Sequence, residues 1–241
     1  MHRYVLLFAR QPEREAREKG FVSADAADLF SAFASGWLDS ARAVGAVLVI
    51  ASPPEDRPAW RRRLAGRPGV LWLDQKGRSF GERLEACARS AVQLPGRAVI
   101  VGGDVAPDRR RLQDAFEALG AGADAVLAPA RDGGISLVGL RPGDLDLLGG
   151  IARRRRDVFS RLYGRLKDRD RRVALVGGLP DVDGRSGARL LLRGGRLALD
   201  LSQLVRRLLA AARFGRERSL DGPVALALTD LGDPRGPPRP A

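Results

Sequence analysis

The stretch Val99-Ile100-Val101-Gly102-Gly103-Asp104 decides the fold: an apolar run leads into two glycines and a carboxylate. A short apolar run bounded by turn residues is typical of a buried strand. Because glycine has no Cβ, a ligand can approach the backbone closely at Gly102 and Gly103. Asp104 offers the oxygen donors that Mg²⁺ and Mn²⁺ prefer. The structural alternative is a turn whose aspartate caps the helix predicted over 107–119.

Similar apolar runs, separated by helical patterns, lie on both sides of this stretch. Strands are predicted at 4–9, 46–51, 70–73, 98–101, 125–128, 135–140 and 172–176. Helices are predicted from Ser23, from Ser79, and over 107–119, 155–166 and 201–212, with a charged loop at 10–22. The alternation predicts an α/β fold with a doubly wound, mostly parallel sheet. Ligands bind beyond the carboxyl ends of such strands, so the loops there should hold the site.

Composition predicts one globular domain over 1–231, since 44% of the 241 residues are hydrophobic. The segment 232–241 holds four prolines without periodicity and predicts a disordered tail. No apolar run reaches the roughly 18 residues of a membrane span, and 5–9 is too short for a signal-peptide core. A cytoplasmic protein is therefore expected. The single cysteine, Cys87, excludes an internal disulfide and lies on an apolar helix face, which predicts a core position.

Charge and residue usage narrow the function classes. A formal net charge of +13 favours anionic ligands. The run Arg153 to Arg156 is the best case for nucleic acid, but aromatic residues are only 5% of the chain and none interleaves with it. A solvated basic face is favoured, so no specific nucleic acid partner is expected. The only histidine is His2, which leaves Ser-His and Cys-His catalysis unavailable.

Three further segments carry candidate site residues. Asp132-Gly133-Gly134 separates two predicted strands, and Asp-Gly is a common hairpin-turn signal. Asp181-Val182-Asp183 points two acids the same way if extended, either to complete a metal site or to decorate a loop. The segment from Gln75 to Arg83 joins a strand to a helix start, where backbone N–H groups suit an anion. Arg83 either faces a phosphate there or is a solvated helix arginine.

Taken in order, five segments resemble the motifs of a bacterial family of glycosyltransferase-family-A-like proteins, within the nucleotide-diphospho-sugar transferase superfamily. The segments are Phe8–Glu13, Gln75–Arg83, Gly102–Pro107, Asp132–Leu137 and Asp181–Gly184. Their order and spacing agree with the family from about residue 3 to about residue 185. Each motif is short, and their combination is what is specific.

The resemblance implies a three-layer GT-A fold with a mixed, seven-stranded, Rossmann-like sheet. It implies that Asp104 and Asp183 bind Mg²⁺ or Mn²⁺ and that Asp104 and Asp132 are catalytic. The implied nucleotide-binding residues are Arg10, Lys19, Gln75, Arg83, Gly102 and Gly103, and the implied acceptor-side residues are Gly133 and Gly134.

Three functions stay open at this point. The first is a nucleotide-sugar-dependent glycosyltransferase that uses a small-molecule acceptor. The second is a nucleotidyltransferase that attaches a nucleotide to a small phosphorylated molecule. The third is a non-catalytic domain that binds a nucleotide or a protein, because the first loop differs from the family around Lys19. The family's cysteine, tyrosine and threonine are also replaced in three of the other motifs.

Overall fold

The computed structural model describes residues 2–21, 23–93, 96–151, 157–193 and 199–217. The predicted tail at 232–241 and the arginine run at 153–156 lie outside the described residues.

The described residues form a seven-stranded sheet. The strands are β1 (His2–Phe8), β2 (Ala46–Ser52), β3 (Val70–Asp74), β4 (Gly96–Gly102), β5 (Ala125–Pro129), β6 (Ile135–Leu140) and β7 (Val173–Leu175). Their order across the sheet is β3-β2-β1-β4-β6-β5-β7. Strand β6 runs antiparallel to β4 and β5, and the other pairings are parallel. The predicted mixed, mostly parallel α/β sheet is confirmed.

The helices pack on both faces of this sheet and beyond one end of it. They are α1 (Pro12–Glu18), α2 (Ala24–Ala43), α3 (Arg57–Arg63), α4 (Phe80–Val92), α5 (Arg109–Gly120), α6 (Asp146–Gly149), α7 (Val158–Asp168), α8 (Gly184–Arg193) and α9 (Leu199–Glu217). Two short 3₁₀ turns, Pro54–Asp56 and Pro142–Asp144, complete the regular structure of the described residues.

Strand β1 shows why the molecule has three layers. Successive strand side chains point to opposite faces, so a strand buried on both faces reads as a continuous apolar run. Val5 and Leu7 belong to the core with α2 and α5, whereas Tyr4 and Leu6 belong to the core with α4 and α7. The unbroken apolar run in β1 therefore requires an interior position in the sheet, between two apolar layers.

Two predicted helix starts are confirmed, together with their physical cause. The Ser23 side chain accepts a hydrogen bond from the backbone of Asp25, which caps α2. Ser79 and Glu82 form a reciprocal capping box at the start of α4. Cys87 on α4 is buried, as predicted.

The charged loop predicted at 10–22 is wrong in part, because residues 12–18 form α1. Proline is favoured in a first helical turn, and acidic residues there complement the helix dipole. Pro12 and Glu13 supply both features. The sequence hides this helix because its buried face is small and includes the carboxylate of Glu15 beside Ala16. Helices α3, α6 and α8 were also not predicted.

A third apolar cluster joins α1, α2, α8 and α9. Phe30 of α2 packs there with Leu191 of α8 and Val205 of α9. Val182 belongs to the same cluster, so the extended segment that carries Asp181 and Asp183 is anchored by a buried side chain between its two acids. Among the described helices, none is both long enough and apolar enough to cross a membrane.

Candidate functional site

A cavity of about 520 Å³ opens at the carboxyl ends of β1 and β4. Strands β2 and β3 lie on one side of β1, and β4 and the later strands lie on its other side. The order of the strands therefore reverses direction at β1. Ligands of doubly wound folds bind at this topological switch point. Its charged lining residues, among those described, are Arg10, Glu15, Glu18, Lys19, Arg83, Asp104, Asp132, Asp181 and Asp183.

The floor of the cavity is formed by the ends of β1 and β4. The backbone N–H of Gly103 donates to the carbonyl of Phe8 at 3.1 Å. A Cβ placed on Gly103 would lie 2.6 Å from the Cβ of Ala9. Gly102 and Gly103 both line the cavity. The missing side chain at Gly103 thus permits close packing of the two strand ends. The sequence analysis had explained the glycine here only by the close approach of a ligand.

We expect Gly103→Ala to destabilise the protein by about 1–3 kcal/mol, the usual cost of overpacking. The new methyl group must push Ala9 away from the end of β4. The measurement is the shift in Tm or in denaturant midpoint. The matched control is Gly164→Ala in α7, where a Cβ meets nothing within 4 Å. That change should be neutral or stabilising, because alanine favours helix. Equal midpoints for the two variants would contradict the packing argument.

The loop after β4 is held on two sides. The indole N–H of Trp37 donates to the Val105 carbonyl at 3.0 Å, in a buried position. The N–H of Val182 donates to the Asp104 carbonyl at 3.0 Å, and Val105 forms an isolated bridge with Asp181. These bonds bring the segment of residues 181–183 beside Asp104. The predicted alternative role of Asp104 as a helix cap is wrong, because Asp108 caps α5.

Lys19 lies between the two carboxylates that the sequence analysis put in one metal site. Its ammonium group contacts Asp104 and Asp183 and lies 4.0 Å from Glu15. Burial by itself would lower the pKa of Lys19, but the charges and hydrogen bonds of Asp104 and Asp183 raise it. Lys19 is therefore a fixed positive charge within a ring of acids.

Asp181 is a further acid of this site, although the resemblance implied a metal-binding role for Asp183 alone. Burial raises its pKa to about 6, and the neighbouring charges of Asp104, Asp183 and Asp132 raise it in the same direction. The alternate spacing of residues 181 and 183 had already marked both acids as candidates in the sequence. Burial first and the neighbouring carboxylates second therefore both oppose ionisation of Asp181.

The remaining predicted nucleotide-binding side chains also line the cavity, with contacts of their own. Arg10 pairs with Glu15 at 3.3 Å. The amide nitrogen of Gln75 donates to two backbone carbonyls, those of Ala51 at 2.9 Å and Ala9 at 3.3 Å. Gln75 thereby ties the ends of β1, β2 and β3 together at the cavity wall.

The turn between β5 and β6 also contributes to the lining of the cavity. An Asp132 carboxylate oxygen accepts from the N–H of Gly134 at 2.9 Å, and Gly133 adopts a φ of 88°. The turn predicted here is present, and glycine suits its left-handed position. Asp132 and Gly134 line the cavity, whereas Gly133 is not among the lining residues.

Glu15 and Glu18 were missed altogether. Both lie on α1, within the segment predicted to be a loop, and both line the cavity. A helix places residues three or four positions apart on one face, which brings these two acids and Lys19 together. The sequence could have identified them only if α1 had been predicted.

Comparison with solved structures supports the fold. A protein assigned as a nucleotide-diphospho-sugar transferase from Desulfovibrio desulfuricans G20 is 25% identical, with a TM-score of 0.75. The match covers 89% of this chain and 98% of that one. A cytidylyltransferase from Leptospira borgpetersenii is 10% identical, with a TM-score of 0.53 over 93% of this chain and 99% of that one. A 4-diphosphocytidyl-2C-methyl-D-erythritol synthase, 11% identical, has a TM-score of 0.55 over 79% and 96%.

The match to the Desulfovibrio protein confirms the predicted resemblance to the nucleotide-diphospho-sugar transferase superfamily. The other two matches confirm the fold alone. No match was found among curated proteins. A family model described as "Uncharacterized protein conserved in bacteria (DUF2064)" matches residues 38–160, which is half of the chain and includes β2 to β6. The chain therefore belongs to the DUF2064 family of bacterial proteins.

Proposed function

We propose that the protein is a metal-dependent transferase that acts on a nucleotide-activated substrate, and that this substrate is a nucleotide sugar. One observation supports this above the others: Asp104 and Asp183 meet around a single cation at the switch point of the sheet. The similarity to the transferase-like protein from Desulfovibrio adds support.

The donor set of the site fits Mg²⁺ or Mn²⁺ that is completed by a nucleotide. No group of three His, Cys, Asp or Glu side chains in the described part of the chain is arranged to hold a metal ion by itself. Magnesium, however, commonly binds through one or two carboxylates together with substrate phosphates and water. Asp104 and Asp183 provide such a pair, and the ammonium of Lys19 is a stand-in cation between them. When bound, the metal would neutralise charge on the departing phosphate oxygens.

The side chains around this pair would position the donor. Arg10 and Arg83 line the same cavity and carry the positive charge that a diphosphate requires. Gln75 fixes the strand ends that form the floor, so its role would be to hold the backbone at Ala9 in place. Gly102 and Gly103 would present backbone to the ligand. Positioning of this kind is a large part of catalysis in group transfer.

The charge of the cavity favours a glycosyl acceptor over a phosphorylated one. Six carboxylates and three basic side chains line it among the described residues. A phosphorylated acceptor would bring further negative charge next to these acids, whereas a neutral hydroxyl acceptor would not. Asp132, which lines the same cavity, would accept the proton of the attacking hydroxyl. Gly134 lines the cavity and would lie beside that acceptor, whereas Gly133 would shape the turn that carries it.

A nucleotidyltransferase is the second candidate. The fold is shared with a cytidylyltransferase and a diphosphocytidyl-methylerythritol synthase, although identities of 10% and 11% support fold similarity alone. Product analysis separates the two reactions: a glycosyltransferase releases a nucleoside diphosphate, and a nucleotidyltransferase releases pyrophosphate. A non-catalytic nucleotide-binding domain would release neither.

The test is a thermal-shift screen of nucleoside diphosphates, nucleoside triphosphates and nucleotide sugars, each with and without Mn²⁺. A ligand present at about 100 times its Kd stabilises the folded state by about 2.7 kcal/mol, which raises Tm by about 5–10 °C for a protein of this size. We expect one nucleotide sugar to give this shift only when Mn²⁺ is present. Shifts that ignore Mn²⁺ would favour the non-catalytic domain, and a screen without any shift would contradict the proposal.

A further inference from the structure

Lys19 occupies the space that a metal ion would need. It is the C-cap residue that directly follows α1, and its side chain is only 9% exposed. Its ammonium contacts one carboxylate oxygen of Asp104 and one of Asp183. Lys19 therefore forms an ion pair with both acids at once. The lysine is thus the internal counterion of the pair.

A divalent ion bound by the same two oxygens cannot coexist with the ammonium in this position. Metal–oxygen distances of about 2.0–2.2 Å would place the ion within contact of Lys19 Nζ. Two positive groups at that separation repel strongly in a partly buried site. One of the two cations must therefore leave the carboxylates when the other binds.

We propose that Lys19 and a divalent metal are alternative occupants of the Asp104–Asp183 pair, and that metal entry drives the ammonium off. This rests on the proposed function for the identity of the metal pair. The lysine stem has four flexible carbons, so its charge can move while α1 stays in place. The released ammonium remains in the cavity, where it would form an ion pair with a diphosphate.

The arrangement has two consequences for binding. Without nucleotide, the metal must compete with a charge that the protein itself supplies, so metal affinity is low. A diphosphate gives the displaced ammonium a new partner, so metal and nucleotide bind with positive coupling. Lys19 would then contribute first to the metal-free site and afterwards to the phosphate site.

The experiment is titration of the protein with Mn²⁺ alone, with free Mn²⁺ measured by electron paramagnetic resonance. Lys19→Gln should bind Mn²⁺ at least about tenfold more tightly than the unaltered chain, because one competing charge is removed. The chain has three lysines, and Lys167 on α7 is exposed. Lys167→Gln makes the same change of net charge away from the cavity and should leave Mn²⁺ affinity unchanged.

Lys19→Arg is the second variant, and it keeps the proposal testable if Lys19→Gln does not fold. It keeps a positive charge at the site, so its Mn²⁺ affinity should not exceed that of the unaltered chain. The proposal is overturned if Lys19→Gln binds Mn²⁺ with unchanged or weaker affinity, if it binds none at millimolar Mn²⁺, or if Lys19→Arg binds it more tightly. No nucleotide is present in these titrations. Their outcome therefore tests the exchange of Lys19 for the metal independently of the result of the nucleotide screen.

Discussion

Asp104→Asn is expected to lower nucleotide affinity in the presence of Mn²⁺ by about 100-fold, while affinity without metal changes little. The carboxylate is one of two proposed metal ligands, and loss of even an outer-shell partner of a metal costs about 10–100-fold. An amide has no charge to offer a divalent ion and retains only one oxygen acceptor. Isothermal titration with the nucleotide from the thermal-shift screen, with and without Mn²⁺, measures the difference.

The matched control for this variant is Asp108→Asn. Asp108 lies four residues further along the same loop and caps α5 through the backbone N–H of Arg111. Asparagine caps helices about as well as aspartate, so this variant should fold and bind normally. Unchanged metal-dependent affinity in Asp104→Asn would remove the basis for the metal assignment. A similar loss in both variants would indicate a disturbed loop instead.

Trp37→Ala is expected to destabilise the protein by about 3–5 kcal/mol, the usual range for truncating a buried aromatic side chain. Trp37 is fully buried on α2, and its indole N–H holds the Val105 carbonyl next to Asp104. At about 2–4 °C per kcal/mol for a protein of this size, the Tm should fall by about 10 °C. Thermal or urea denaturation provides the measurement.

Two further variants separate packing from the hydrogen bond. Trp37→Phe keeps an aromatic ring but leaves the buried Val105 carbonyl without its donor, which should cost about 1–3 kcal/mol. It should also weaken metal-dependent nucleotide binding, because the Val105 bond positions the loop of Asp104. Trp72→Ala on edge strand β3 is the control, since Trp72 is only partly buried. A loss for Trp72→Ala as large as that for Trp37→Ala would contradict the assigned role of Trp37.

The fold could be predicted from local pattern because its central strands are buried on both faces. The short apolar runs of β1, β2 and β4 are typical of strands buried on both faces. Ser23 and Ser79 are capping residues and mark the starts of two helices. Helix α1 could not be predicted in this way. Five of its seven residues are charged, and only packing against α2 reveals that Ala16 is buried.

The sequence by itself determined the layered α/β architecture and which loops lie at the ligand edge, because strand and helix periods are local properties of the chain. It also supplied Asp104 and Asp183 as candidates. Only the tertiary structure decided that Lys19 lies between them, that Asp181 shares their charge, and that Glu15 and Glu18 face the same cavity. Lys19 is 85 positions from Asp104 and 164 positions from Asp183 in the sequence. Contacts between residues so far apart depend on how α1, β4 and the segment before α8 pack, which no local pattern encodes.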